Sequence, residues 1–383
     1  MKKKALVITF CYPPYPSPES YITLKFLNEL SKSVDLEVLT LESFGEKNNH
    51  YIENNITCHR VQIPSFIKWI INLPRLPLRP DRFILTLFFF KKKLNSLDLD
   101  KFDIFFTRSQ FHSSHILGLF LKSHFPNKKW LASFSDPWSK NMFQKKIPFF
   151  SNLSQRIEKK VMEKADYLIF PLEALKKHFD KLYKINKKAL IVNHSFENLK
   201  IPKKITDNYF TIRYFGKIYA ERNIFPLLDS VISLIKKNEK INFEMFLDNE
   251  FLLKNRDKLK FYKKFIKISD YVSIHEYLKL IKGSDLLVVL DGDSQDVNLF
   301  FQSKLVDYLG SENMILHIGS ADTLNRKITL KCNGASCKNN SKEITTCLKK
   351  IIENKNKFKP NKVFIQQFRA KNVIKKFLKQ LNF

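Results

Sequence analysis

Residues in the middle of the chain have the types and spacing for anion chemistry. In Ile212-Arg213-Tyr214-Phe215-Gly216-Lys217, a short apolar run ends in a glycine and then a cation; a second cation, Arg222, follows five residues after Lys217. Glycine lets the backbone turn tightly at the carboxyl end of a strand, which is where open α/β sheets take their ligands. Lys217 and Arg222 can then converge on one doubly charged group such as a diphosphate. The same spacing also suits a basic surface loop in a basic protein.

A second constellation lies downstream. Asp285 to Asp291 reads as a buried strand, followed by a loop holding Gly292, Asp293 and Asp296, and then by Phe301-Gln302-Ser303-Lys304-Leu305-Val306-Asp307-Tyr308-Leu309. With Ser303 as helix N-cap, the free N–H groups of the first turn could receive a phosphate, reinforced by Lys304. Asp307 falls one turn later on the face of Lys304. It either accepts hydrogen bonds from vicinal ribose hydroxyls or forms a ligand-free pair with Lys304.

In the first half, Ser133-Phe134-Ser135-Asp136-Pro137-Trp138 follows a strand end. Asp136 either orients a sugar hydroxyl or an acceptor, or caps the next segment. Pro137 fixes the turn and Trp138 anchors it. Arg108, His112 and His115 follow an earlier strand. One of these histidines is a candidate proton relay, and a packing role is the alternative for each.

The elements that must hold these residues alternate strand and helix. Strands are expected at Ala5–Phe10, Leu36–Thr40, Asp103–Thr107, Trp130–Phe134, Tyr167–Phe170 and Leu190–Asn193, with helices between them. After a polar, lysine-bearing stretch from Asn198 to Asn208, read as a linker, the alternation restarts. Strands are expected at Phe210–Phe215, Asn242–Leu247, Tyr271–Ile274, Leu286–Leu290 and Met314–Ile318, and helices at Ile344–Asn354 and Val363–Leu381 close the chain. That order means parallel sheets with helices on both faces. The expected division is 1–200, 209–362 and a closing helix over 363–383.

At 383 residues the chain suits two domains. It is 44% hydrophobic, so a large interior is available, and its net charge of +30 favours nucleic acid, anionic lipid or phosphorylated substrates. No helix-turn-helix, zinc-finger or RNA-binding signature supports the first of these. Five irregularly spaced cysteines argue against a disulfide framework and for a reducing compartment, and no second pair or histidine cluster completes a zinc site around Cys332 and Cys337. The apolar run after Met1-Lys2-Lys3-Lys4 meets Tyr12-Pro13-Pro14-Tyr15-Pro16 instead of a cleavage site, so a buried strand is the expectation. No apolar stretch is long enough to span a bilayer. From Ser65 to Lys93, aromatics, aliphatics and cations interleave around Pro74, Pro77 and Pro80. This segment reads either as an amphipathic element on a membrane surface or as a packed helix with a solvated basic face.

Together these motifs resemble the bacterial glycosyltransferases of the GT-B architecture, specifically the family 4-like group that builds surface polysaccharides. The resemblance runs through Phe10 to Leu30, Arg79-Pro80-Asp81-Arg82, the Asp136-Pro137-Trp138 motif, Glu163-Lys164-Ala165-Asp166, Gly216-Lys217 to Arg222, and Ser303-Lys304-Leu305 to Asp307. The chain departs from that pattern at Pro16-Ser17-Pro18-Glu19-Ser20, where the group carries paired glycines. It departs again at Gln302, where a proline is usual, and in lacking the first acid of a Glu-x7-Glu pair that would end at Asp307.

The resemblance implies two Rossmann-like α/β domains facing a cleft, with the C-terminal helix crossing back to the first. The first domain would bind the acceptor and the second a nucleotide sugar. It implies transfer from a nucleoside-diphosphate sugar, without a metal or other cofactor, to a lipid-linked or saccharide acceptor, with retention. Lys217 and Arg222 would neutralise the departing diphosphate and Asp136 would act beside them. Gly216, Asp291, Asp293, Ser303, Lys304, Leu305 and Asp307 would hold the donor; Tyr15, Ser17, Arg108, His112 and Trp138 are acceptor-side candidates. The partners implied are anionic membrane but no nucleic acid, and the place a cytoplasmic one, peripheral on the inner face of the membrane. A GT-B-fold nucleotide-sugar epimerase is the alternative, with a basic nucleic-acid-binding protein behind it.

Overall fold

Apolar runs with both faces hydrophobic form parallel strands here, as expected for sheets covered by helices on both sides. The computed structural model describes residues 2–15, 17–42, 56–73, 78–141, 148–185, 188–197, 208–218, 222–237, 239–292 and 299–382. The proposed linker lies outside the described residues but for Asn208. The chain divides into two compact units, Met1–His194 with Val373–Phe383, and Ser195–Asn372.

The first unit holds β1 (Lys4–Thr9), β2 (Asp35–Leu41), β3 (Thr57–Val61), β4 (Ile104–Arg108), β5 (Lys129–Ser133), β6 (Tyr167–Phe170) and β7 (Ala189–Ile191). They form one sheet in the order β3-β2-β1-β4-β5-β6-β7, parallel throughout. Its helices are α1 (Pro18–Leu30), α2 (Ser65–Asn72), α3 (Leu87–Leu94), α4 (Ser113–His124), α5 (Pro148–Lys164) and α6 (Glu173–Tyr183).

The second unit holds β8 (Phe210–Phe215), β9 (Ile241–Leu247), β10 (Lys267–Asp270), β11 (Leu286–Leu290), β12 (Met314–Ile318) and β13 (Ala335–Cys337). Their order, β10-β9-β8-β11-β12-β13, is again parallel. Its helices are α7 (Phe225–Ile235), α8 (Asn249–Lys254), α9 (Arg256–Tyr262), α10 (Ile274–Lys282), α11 (Ser303–Ser311), α12 (Leu324–Lys331), α13 (Ser341–Glu353) and α14 (Lys362–Gln366). In each sheet the strand order reverses direction once, between β1 and β4 and between β8 and β11. Such switch points open a crevice at the carboxyl ends of the two strands.

Local chemistry explains the boundaries that differ from expectation. The strand expected at Tyr271–Ile274 is instead β10, four residues earlier, because Ser273 accepts from the Glu276 N–H at 3.3 Å and starts α10. β3 and β13 were not expected: Thr57-Cys58-His59-Arg60 is a polar edge strand, and β13 is only three residues long. The closing helix is two helices, α14 and α15 (Ala370–Gln380). The break arises because Phe196 takes Phe368 and Ala370 out of the helical ladder, donating to the Phe368 carbonyl at 3.0 Å and accepting from the Ala370 N–H at 2.9 Å.

α1 starts where the Ser17 hydroxyl accepts from the Ser20 N–H at 3.1 Å and Pro18 supplies a preset φ. It buries Phe26, Leu27 and Leu30 in a core that also contains Val7, Val38 and Phe106 of the sheet. Val373, Ile374, Phe377 and Leu381 belong to the same core, with the Phe377 ring 5.6 Å from that of Phe26. The last helix is thus part of the first unit's interior.

Candidate functional site

The carboxyl end of β8 gathers a cationic arrangement in the second unit. Gly216 has φ +129, a conformation other residues rarely adopt, and a Cβ there would lie 3.0 Å from Lys304 Nζ. Lys304 reaches across from the first turn of α11 and donates to the Phe215 carbonyl at 2.7 Å, its ammonium 4.2 Å from the centre of the Tyr214 ring. Burial drives its pKa well below the usual lysine value, and the nearby Arg222 guanidinium lowers it further while Asp291 opposes the shift. Arg222 donates to the Lys217 carbonyl at 3.3 Å. Gly216, Arg222 and Lys304 therefore meet beside the β8–β11 switch point.

Lys217 does not join them. Its ammonium pairs with Glu250 of α8 at 3.0 Å, with both side chains largely in solvent, and exposed pairs of this kind contribute little. Ser303 is not the N-cap of α11 either: Gln302 takes that place, without a side-chain capping hydrogen bond, and Ser303 is the first helical residue. The Leu305 side chain is fully buried and its N–H already donates to the Gln302 carbonyl at 3.0 Å, so that amide is not free for a phosphate. Asp307 is nearly buried, and the Tyr277 hydroxyl lies 3.4 Å from its Oδ2. The Tyr277 ring stands edge-on to Phe215 at 5.0 Å, and Phe215 stacks on Phe246 at 4.7 Å. Tyr277 is a neighbour of the site with no motif to announce it. Asp291, expected to touch the donor, is turned inward and fully buried among Gln302, His317 and Asn325. Asp293 and Asp296 lie outside the described residues.

In the first unit, Asp136 sits half-buried just beyond β5, and Gln110 Nε2 donates to its Oδ2 at 2.6 Å. Burial raises its pKa above the ordinary carboxylate value, against the pull of that hydrogen bond. The hydroxyl of the preceding Ser135 donates to Glu19 Oε1 at 2.8 Å, and its backbone N–H donates to Ser109 Oγ at 3.0 Å. Arg108 is buried with its guanidinium 4.6 Å from the centre of the Phe26 ring and 3.8 Å from Glu19. Glu19 and Gln110 were not singled out from sequence. The only signal for Glu19 is its place in the first turn after the Ser17 cap, and Gln110 has none.

The acceptor-side candidates Trp138, His112, Ser17 and Tyr15 all have partners within the fold. Trp138 is fully buried, donates to Ser154 Oγ at 2.9 Å, and stacks on His112 at 4.8 Å with 6° between the planes. His112 is buried too, and that burial pushes its pKa down to about 3, which leaves it neutral and unsuited to relaying protons near neutral pH. His115 is likewise shifted well down by burial, with Nδ1 2.8 Å from Thr107 Oγ1. Ser17 is spent on the α1 cap. Tyr15 accepts from Arg82 Nη2 at 3.3 Å and sits edge-on to Phe83 and Phe111.

Glu19 gives this region a pH signature. Burial raises its pKa from 4.5 to about 7, with Arg108 and Ser135 opposing. The folded chain therefore holds more protons than the unfolded one between those values, and the carboxyl costs stability increasingly as pH rises through that window. Glu19→Gln removes this dependence. Urea midpoints of variant and parent should diverge in the variant's favour from about pH 5 to about pH 8; parallel curves would show that Glu19 titrates normally.

Two doubly wound, wholly parallel sheets, each with one switch point, define the GT-B architecture. No family model matches the sequence, and no curated protein matches it significantly. Solved structures do. Sucrose-phosphate synthase from Thermosynechococcus elongatus superposes with a TM-score of 0.74 at 10% identity, over 100% of this chain and 98% of that one. HepE from Anabaena, in complex with UDP and glucose, gives 0.72 at 10% identity, over 99% of both chains. The lipopolysaccharide outer core galactosyltransferase WaaB gives 0.62 at 11% identity, also over 99% of both. At such identities the likeness is one of fold.

Proposed function

We propose that this chain is a glycosyltransferase that uses a nucleoside-diphosphate sugar. The observation that carries the reading is the meeting of Gly216, Arg222 and Lys304 at the switch point of the second unit. The glycine gives a ligand access to the backbone, and two cations lie where a diphosphate would leave. Similar structures containing UDP or UDP-glucose support the donor class. Charge develops on the departing diphosphate in the transition state, and fixed cations in a partly desolvated site stabilise it strongly. In this reading side chains supply those charges without a metal. Asp307 serves the ribose, Ser303 adds a hydroxyl beside the phosphates, and Asp136, braced by Gln110, orients the acceptor.

A thermal-shift screen against UDP, GDP, ADP, CDP and dTDP tests the donor assignment, because a ligand that binds only the native state raises its melting temperature. One nucleoside diphosphate should give a shift that Arg222→Ala abolishes. No shift with any of the five, or a shift untouched by that substitution, overturns the reading.

We further infer a lipid-linked or saccharide acceptor of surface polysaccharide synthesis, transfer with retention, and attachment to the inner face of the cytoplasmic membrane. Support for the membrane comes from α2, where Phe66 and Trp69 are 61% and 65% exposed. Spaced three residues apart, they share a helix face, with Lys68 between them. On α3, Phe88 is 71% exposed, ahead of Lys91, Lys92 and Lys93. No helix among the described residues is long and apolar enough to cross a membrane, so the contact would be interfacial. The double substitution Phe66→Ala/Trp69→Ala should weaken co-sedimentation with anionic vesicles about tenfold or more. Unchanged binding removes the membrane role of α2.

A further inference from the structure

The buried carboxylate of Asp291 has more partners than stability alone requires. Oδ1 receives Gln302 Nε2 and, at 3.0 Å, Asn325 Nδ2; Oδ2 receives His317 Nε2 at 2.9 Å and Asn325 Nδ2 at 3.2 Å. His317, fully buried on β12, is held from its other side by Ser336 Oγ, 3.0 Å from Nδ1. Asn325, in the first turn of α12, also accepts from the Gln302 N–H at 3.4 Å. Gln302 Nε2 donates in addition to the Leu290 carbonyl at 3.0 Å. Gly319, at φ +146, closes the assembly from the end of β12, where a Cβ would come within 2.9 Å of Asp291 Cβ. Gln302, the residue before α11, is thus tied to Leu290 at the end of β11, to Asn325 of α12 and, through Asp291, to His317 of β12.

A buried charged group costs several kcal/mol to desolvate, and well-packed apolar residues in its place are often as stable or more so. What the polar assembly supplies and an apolar one would not is a fixed direction. The hydrogen bonds with Asp291, Leu290 and Asn325 constrain Gln302, and Gln302 is followed directly by Ser303 and Lys304. The Lys304 ammonium then spans from α11 to the Phe215 carbonyl beside Gly216.

We infer that Asp291, with His317, Asn325 and Gln302, is a positioning assembly that sets the first turn of α11 and thereby aims Lys304 at the anion site on the β8 loop. Asp291 and its partners touch no ligand in this scheme; they act through α11. The inference rests on the donor reading above only for the identity of the anion.

Two substitutions test it. Asp291→Asn removes the charge and two acceptor sites. Gln302→Leu leaves the carboxylate with His317 and Asn325 and removes the side-chain links of Gln302 to Asp291 and to the Leu290 carbonyl, which keeps the test open if Asp291→Asn folds poorly. Ile351→Ala, which opens a cavity in the core under α13, serves as a control of general destabilisation. Amide hydrogen exchange, read at a temperature where each protein is fully folded, should quicken about tenfold or more in the peptide spanning residues 302–306 of both test variants, with α13 unaffected. The control should leave that peptide unchanged. In parallel, affinity for the nucleoside diphosphate that the parent binds should fall about tenfold in the test variants and hold in the control. Exchange that is unchanged, or that rises equally throughout the unit, overturns the positioning role. If the parent binds no nucleoside diphosphate, the donor reading fails while the exchange result still decides this one.

Discussion

Arg222→Ala is expected to lower sugar transfer by roughly 10²–10³-fold, the loss typical of deleting one fixed group that stabilises developing negative charge. Arg222 is the larger target because Lys304, its neighbour, has a pKa held well below the usual lysine value by burial. Burial disfavours the charged form of Lys304, so the larger share of the stabilisation is expected from the guanidinium. Lys217→Ala should cost much less, since its ammonium is engaged with Glu250 in solvent. Initial rates of transfer from the nucleotide sugar that the parent uses would rank the two variants. Equal losses would mean that Lys217 leaves Glu250 when donor binds. Full activity in Arg222→Ala would remove the leaving-group assignment altogether.

Trp138→Ala should destabilise the first unit by about 3–5 kcal/mol, the range for truncating a fully buried aromatic. At about 2–4 °C per kcal/mol for a unit of this size, the melting point falls by roughly 6–20 °C. The loss has two sources: the ring stacked on His112 and the hydrogen bond to Ser154. Trp138→Phe keeps most of the ring volume but strands the Ser154 hydroxyl, so its cost should be the smaller, about 1–3 kcal/mol. Denaturant unfolding of both variants checks the order. A Trp138→Ala chain with normal stability and a raised acceptor KM would instead return this residue to the acceptor side, where its Asp-Pro-Trp setting had suggested it belongs.

Trp138 also shows where a sequence stops being informative. Its position after a strand end and beside Asp136 marks the carboxyl edge of the sheet, which is correct. Whether a side chain there turns to solvent or to the core depends on what packs against it, and the partners, His112 and Ser154, come from α4 and its preceding loop and from α5. The same holds in the second unit. The glycine at 216 and the cation at 304 were legible because a strand, a tight turn and a helix start are local events. The exchange of roles between Lys217 and Lys304 was not, since it turns on Glu250, thirty-three residues from Lys217. Asp291 was read as a ligand contact for a like reason. A carboxylate after a buried strand faces a crevice unless something inside satisfies it, and here His317 and Asn325 do. Apolar strands were plain, whereas β3 and β13 were missed because edge strands need few hydrophobic residues and so carry little periodic signal.

The side chains of Val373, Ile374, Phe377 and Leu381 that complete the first unit's core bear on the order in which the protein is made. A ribosome delivers these residues only after all of Ser195–Asn372 has emerged. The second unit can therefore close around its own core while synthesis continues, but the first must wait with Phe26 and Phe106 uncovered for its final helix. Domains usually mature in the order of translation; here the amino-terminal one finishes last. Its unfinished apolar face is the surface that a chaperone would meet on the nascent chain.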